Sequence, residues 1–207
     1  MTPPGSSGNR TLGVLQSWRV GQLSFFSAES QAPSLGDLAG LLAATGQVVR
    51  AGGRARLSVI VDAPWRAAAV AEAIDATGLR AESVETDNGS WLVRTDHVAE
   101  LTGLATAWTK GAVKAVPADW APDNRQLRLW TLAAGRSEHG GERFALGLDP
   151  YALDTHVPLA KALAELGLTA TLSTKEALLR IAGRRRLARL AYNIGEPPAG
   201  GGRHWPR

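Results

Sequence analysis

The stretch Asp37–Gly46, "DLAGLLAATG", reads as a helix of alanine, leucine and glycine closed by a glycine. Ser34 stands where an N-cap belongs, and Asp37 three residues later is its capping-box partner. The helix is therefore expected from about Leu35 to Thr45, with Gly46 ending it. Beyond it, "QVVR" (47–50) and "ARLSVIVD" (55–62) flank the turn "AGGR". In the second of these Leu57, Val59 and Val61 alternate with Arg56, Ser58 and Ile60, so one face is apolar throughout. "PWRAAAVAEAIDATG" (64–78) has proline in its first turn and glycine at its end, as a helix should. "LRAESVE" and "SWLVR" flank "TDNG", a hairpin signal. "TDHVAELTGLATAWTKG" (95–111) is expected to be a third helix. The order is helix, strand, strand, helix, strand, strand, helix.

That order recurs at an offset of 89 residues. The offset aligns Leu38 with Leu127, Gly46 with Gly135, Leu57 with Leu146, Gly78 with Gly167, Ala81 with Ala170 and Leu101 with Leu190. "ATGLRA" falls on "ELGLTA", and "KAVP" on "RHWP". An ungapped offset that aligns helix-ending glycines and element order indicates a tandem repeat. The boundaries implied are a tail and short apolar segment over 1–34, a first repeat over 35–117, a linker over 118–123 and a second repeat over 124–207. The fold class expected is α+β, a pseudo-twofold duplication of an αββαββα unit.

Such a unit used twice, each copy opening on a small-residue helix that ends in glycine, resembles the LAGLIDADG homing endonucleases. The resemblance implies two opening helices packed side by side at the pseudo-twofold axis, with four-stranded sheets forming a saddle over DNA. It also implies an acid at the penultimate motif position of each helix, the two together holding divalent cations. Those positions are Thr45 here and, by the offset, Ala134. A hydroxyl is a poor ligand for a hard cation and a methyl group is none, so the resemblance implies the scaffold without its metal chemistry. "DLAGLLAATGQVVRAGGRARLSVIVDAPWRAAAVAEAI", "WLVRTDHVAELTG", "GAVKAVP" and "LRLWTLAAGRSEHGGERFALGLDP" also resemble the WhiA family of bacterial DNA-binding regulators over residues 35–195. That family carries a C-terminal helix-turn-helix region, expected to be missing from a chain that ends soon after its second repeat.

Composition narrows the remaining chemistry. The 207 residues are 44% hydrophobic and 20% charged, as in a globular protein, and include no cysteine, which excludes disulfides, zinc-thiolate sites and thiol nucleophiles. No apolar run approaches a membrane span or a signal peptide. No phosphate loop, dinucleotide fingerprint, nucleophile elbow or zinc pattern is present. Cofactors and small-molecule substrates are therefore not expected. Alanine, glycine and arginine dominate, with lysine only at positions 110, 114, 161 and 175, a usage that suits a high-G+C bacterial genome and a cytoplasmic location. The net charge is +4, but Lys175 to Arg207 holds eight basic residues against two acids, +6, leaving −2 for the rest. A basic end on a near-neutral body points to a polyanion.

Candidate nucleic-acid contacts are Arg54, Arg56, Arg80, Arg143, Lys175 and Arg180, in or beside strands, and Arg184, Arg185, Arg186 and Arg189, which open the last helix with Leu187 and Leu190 turned inward. Strand parity points Arg56 away from the core. Arginine at a helix N-terminus opposes the macrodipole, which a phosphate would offset. Among acids that might replace the lost pair, Asp37 and Asp123 stand at helix starts, where they cap, and Glu138–His139 lies in the glycine-rich turn "GRSEHGGE". His97, His156 and His204 show no ligand spacing. The function expected is a non-catalytic, double-stranded-DNA-binding protein of the transcriptional-regulator kind. The alternatives are a protein-interaction module of the same fold, with a protein partner, and a metal-dependent endonuclease with relocated acids.

Overall fold

The computed structural model describes residues 32–206. Ser34 and Asp37 form the expected capping box: the Ser34 N–H and hydroxyl donate to the Asp37 carboxylate at 3.0 and 2.8 Å. A 3-10 turn, Leu35–Leu38, leads into α1 (Ala39–Ala43), every residue of which is buried. Asp123 caps α4 (Asn124–Ala134), accepting the Gln126 N–H at 2.8 Å. These two helices lie against each other at the centre. A Cβ on Gly40 would come within 1.9 Å of the Gln126 carbonyl oxygen, so only glycine allows this approach.

A four-stranded antiparallel sheet follows each helix. The first runs β1 (Gln47–Ala51), β2 (Arg54–Val61), β4 (Trp91–Thr95), β3 (Ala81–Glu85), with α2 (Pro64–Asp75) between β2 and β3. The second runs β7 (Gly135–Glu138), β8 (Arg143–Gly147), β10 (Leu178–Ala182), β9 (Ala170–Ser173), with α5 (His156–Glu165) between β8 and β9. The two halves thus repeat one strand order. Ala55, Leu57, Val59 and Val61 are buried against the helices, as their alternation requires, and Phe144, Leu146 and Ile181 do the same in the second half. The shared core also takes in Leu41, Leu42, Trp108, Leu127 and Trp130. No helix among the described residues is long and apolar enough to cross a membrane.

Two expectations need correction. The third helix of the first half is only α3 (Thr102–Ala107). Ahead of it Val98 exchanges both backbone hydrogen bonds with Ala55 at 2.9 Å, which holds the chain extended. After it comes a hairpin, β5 (Thr109–Lys110) and β6 (Val113–Lys114), turned by Gly111 at φ +66°. The constant offset also breaks. It holds from β2/β8 to β3/β9, but the hairpin between β9 and β10 is shorter than that between β3 and β4, and α6 (Arg184–Ile194) starts 82 residues after α3. The expected tail and short apolar segment over 1–34 lie outside the described residues except for 32–34.

Candidate nucleic-acid interface

The ends of α1 and α4 are where the resemblance would put catalytic metal. Both ends are occupied by buried side-chain cations. Lys114, from β6, donates its ammonium to the carbonyls of Ala44 and Gly46, both at 2.8 Å, and pairs with Asp149 at 3.2 Å. Burial lowers the Lys114 pKa to about 8, against the opposing pull of Asp149. At the other helix, Arg66 of α2 donates to the carbonyls of Thr131 (3.2 Å), Leu132 (2.7 Å) and Gly135, and pairs with Asp62 at 2.8 Å. Burial lowers its pKa as well. The carbonyl ends of helices carry partial negative charge and attract cations. Arg66, from the first half, thus caps α4 of the second, whereas Lys114 caps α1 from within its own half and draws Asp149 across from the other.

The residues at this centre do not suit a divalent ion. Thr45 and Ala134 bring no carboxylate, and Asp149 is committed to Lys114, to Gln47 Nε2 and to the Tyr151 N–H. Glu138, the relocated-acid candidate, lies between Arg180 (2.9 Å) and Arg136 (3.3 Å). Burial pushes its carboxyl up, but these two arginines more than offset that and hold it below the usual range. His139 sits in the following turn at φ +51° and does not pair with it. Asp37 is a cap and an ion-pair partner of Arg125 at 2.5 Å. Among the described residues no three of His, Asp and Glu converge as a metal site. His156 is buried at the start of α5 with Nε2 on the Asp149 carbonyl at 2.8 Å, and His204 stacks on Trp65.

The sheet faces turned away from the helices carry the other charges. On the first sheet, Arg54 and Arg56 alternate with buried Ala55 and Leu57, as parity demands. Arg94 lies on the same face, paired with Glu82 at 2.8 Å across the strands. On the second sheet, Arg136 and Arg180 flank Ala145 in register, and Arg143 lies beyond them. Arg180 pairs with Glu138 and Glu176, which raises its pKa; the Ser173 hydroxyl and then Arg180 lower that of Glu176. Arg54, Arg56 and Arg143 make no ion pair among the described residues. Arg54 and Arg143 occupy corresponding places, each opening the second strand of its sheet. Arg94 and Arg136 were missed from the sequence, although the parity of "WLVRT" turns Arg94 away from buried Val93.

The remaining candidates lie elsewhere. Arg80 is in the connection to β3, and Lys175 in the turn between β9 and β10; both are exposed. Arg184, Arg185, Arg186 and Arg189 are on α6, which packs on α4 and β10 through Leu187, Leu190 and Ile194. They therefore point outward from the helical layer, on the far side of the sheets from Arg54 and Arg143. With Gly167 and Gly183 they line a cavity of about 530 Å³. Two of them have structural work: Arg189 donates to the Leu166 carbonyl at the end of α5 (3.2 Å), and Arg186 to that of Ala182 (2.9 Å). Trp205 docks the C-terminal segment, donating to the Gly195 carbonyl at 2.7 Å.

Solved structures share this fold. The homing endonuclease I-WcaI bound to its DNA recognition sequence superposes with a TM-score of 0.60 at 10% identity, over 90% of each chain. The fold is LAGLIDADG-like. Full-length DUF199/WhiA from Thermatoga maritima has a TM-score of 0.54 at 13% identity, over 84% of this chain and 58% of that one. The N-terminal LAGLIDADG domain of DUF199/WhiA has a TM-score of 0.50 at 14% identity, over 84% and 87%. No protein-family model and no curated protein matches the sequence.

Proposed function

We propose that this chain is a non-catalytic protein that binds double-stranded DNA across its two outward sheet faces, and that it is a regulator built by tandem duplication of one LAGLIDADG-like unit. The observation that carries the reading is the matched pair Arg54 and Arg143. Both are free of ion pairs among the described residues, and they occupy corresponding places on the two sheets. Phosphate neutralisation by such side chains is the sequence-independent part of duplex affinity. The non-catalytic part rests on Thr45 and Ala134 and on the two resident cations. Metal would meet an ammonium and a guanidinium already seated on the helix-end carbonyls. I-WcaI, with the same fold, is seen bound to its DNA.

Duplex binding measured by fluorescence anisotropy at several salt concentrations tests this. Each phosphate contact contributes about −0.9 to the slope of log K against log salt. Replacing Arg54 and Arg143 together by alanine should flatten the slope by about two. Replacing Arg184 and Arg185 should leave it unchanged. An unchanged slope in the first variant, or no duplex binding at low salt, overturns the reading. A protein-contact role is the second reading for the α6 face, favoured by its exposed arginines and the half-exposed Tyr192 beside them.

A further inference from the structure

A cavity of about 390 Å³ opens on the outward face of the first sheet, against the end of α1. Ile60 and Leu92, neighbours in the β2–β4 register, form its apolar wall, with Thr45, Gln47 and Ser58 beside them. The opposite half of the chain supplies Asp149 and Tyr151. Tyr151 is 96% exposed, an extreme value for an aromatic side chain in a folded protein. Its backbone N–H donates to the Asp149 carboxylate at 3.0 Å, and Asp149 is anchored by Lys114, which fixes the main chain from which the ring projects.

The chemistry of the lining selects its ligand. Asp149 is neutralised by Lys114, and no other charged side chain lines the cavity, so neither a phosphate nor a cation is matched. Gln47 Oε1 and the Ser58 hydroxyl have no hydrogen-bond partner among the described residues. The Thr45 hydroxyl has only a long 3.4 Å contact, to the Ile60 carbonyl. Neutral donors and acceptors, branched aliphatic chains and one exposed phenol ring suit a flat, uncharged heterocycle that stacks and hydrogen-bonds by its edge. The cavity opens on the same face as Arg54 and Arg56.

We propose that this cavity receives a single nucleobase, extruded from a duplex lying across the sheets, with Tyr151 as its stacking partner. No bond is made or broken: one base leaves the stack and another surface replaces its neighbours. The source of the base rests on the duplex-binding reading; the chemistry of the cavity does not. Extrusion is easiest where pairing is already weak, so a binder that extrudes a base favours a mismatched duplex.

The test compares a fully paired duplex with one carrying a single central mismatch, in wild type, Tyr151→Ala and Ile60→Trp. Tyr151 is on the surface, so its removal leaves the fold intact, and tryptophan at position 60 fills the cavity. Wild type should bind the mismatched duplex roughly tenfold more tightly. Both variants should lose that preference, read within each protein as the ratio of its affinities for the mismatched and the paired duplex. Equal binding of the two duplexes by wild type, or a preference that survives both variants, overturns extrusion. A parallel titration with free adenosine and thymidine, read from the Tyr151 ring resonances, separates the sources. Saturable shifts without mismatch preference assign the cavity to a free nucleoside instead. Shifts with no duplex binding at all overturn the DNA reading and leave the base site standing. No shifts and no preference overturn the base site.

Discussion

Gly40→Ala is the smallest change that should disturb the centre of the molecule. The added methyl carbon would lie 1.9 Å from the Gln126 carbonyl oxygen, 2.7 Å from its carbon and 3.0 Å from its Cα. All three are backbone atoms of α4, so no side chain can swing aside. Reaching ordinary contact requires α1 and α4 to part by more than about 1 Å, across a seam lined by Leu38, Leu41, Leu127 and Trp130, all fully buried. Overpacking of this kind costs about 1–3 kcal/mol and sometimes more, while alanine returns up to about 1 kcal/mol in helix propensity. Because the clash is with backbone, a net loss of about 2–3 kcal/mol is expected, or roughly 4–12 °C in Tm at this chain length. Gly103→Ala is the control: α3 has nothing within 4 Å of that position, so the same change should raise stability by a few tenths to about 1 kcal/mol. Urea unfolding followed by tryptophan fluorescence measures both. A Gly40→Ala protein within about 0.5 kcal/mol of wild type would refute the close helix pair.

The other expectations concern the resident cations. The Lys114 amine should titrate with a midpoint near pH 8 in side-chain NMR; a midpoint near the ordinary 10.5 contradicts its burial. Below about pH 8 folded and unfolded chains both hold this proton, and between 8 and 10.5 only the unfolded chain does, so its contribution makes stability rise with pH in that window. Lys114→Met should lack that rise in urea midpoints. Arg66→Met should cost about 3 kcal/mol, because three helix-end carbonyls lose a charged donor in a buried site; a loss under about 1 kcal/mol would mean water replaces the guanidinium. Restoring acids with Thr45→Asp and Ala134→Asp together should give no Mg²⁺-dependent nicking of plasmid DNA, since Lys114 and Arg66 pair with the new carboxylates. Nicking by that double variant would show that the acids alone had been lost.

The opening helix, its cap and the β2 alternation were legible because local rules govern them: a capping box, a terminal glycine and a period of two. Arg54 and Arg56 followed from the same parity. The region 95–111 was misread because Val98 is held extended by Ala55, a partner more than forty residues away in sequence, and Gly111 acts only through its left-handed turn. The cations at the helix ends were illegible for the same kind of reason. Lys114, Asp149, Ala44 and Gly46 come together only in the folded chain, and nothing in "GAVKAVP" marks its lysine as buried. The run at 184–189 showed the opposite weakness. Its charge density was plain, but density does not say which side of a sheet a helix lies on, and two of its arginines are engaged with backbone carbonyls.

The proposed binding of duplex DNA across the sheets is tested most directly by site-specific photo-crosslinking in the presence of EDTA. Val49 lies on the outward face of β1, opposite Arg56 in register and 56% exposed, and Tyr192 lies on α6, 51% exposed. A photo-reactive residue at position 49 should crosslink to duplex DNA, and one at position 192 should not. Crosslinking from 192 alone, or from neither, would contradict binding across the sheets.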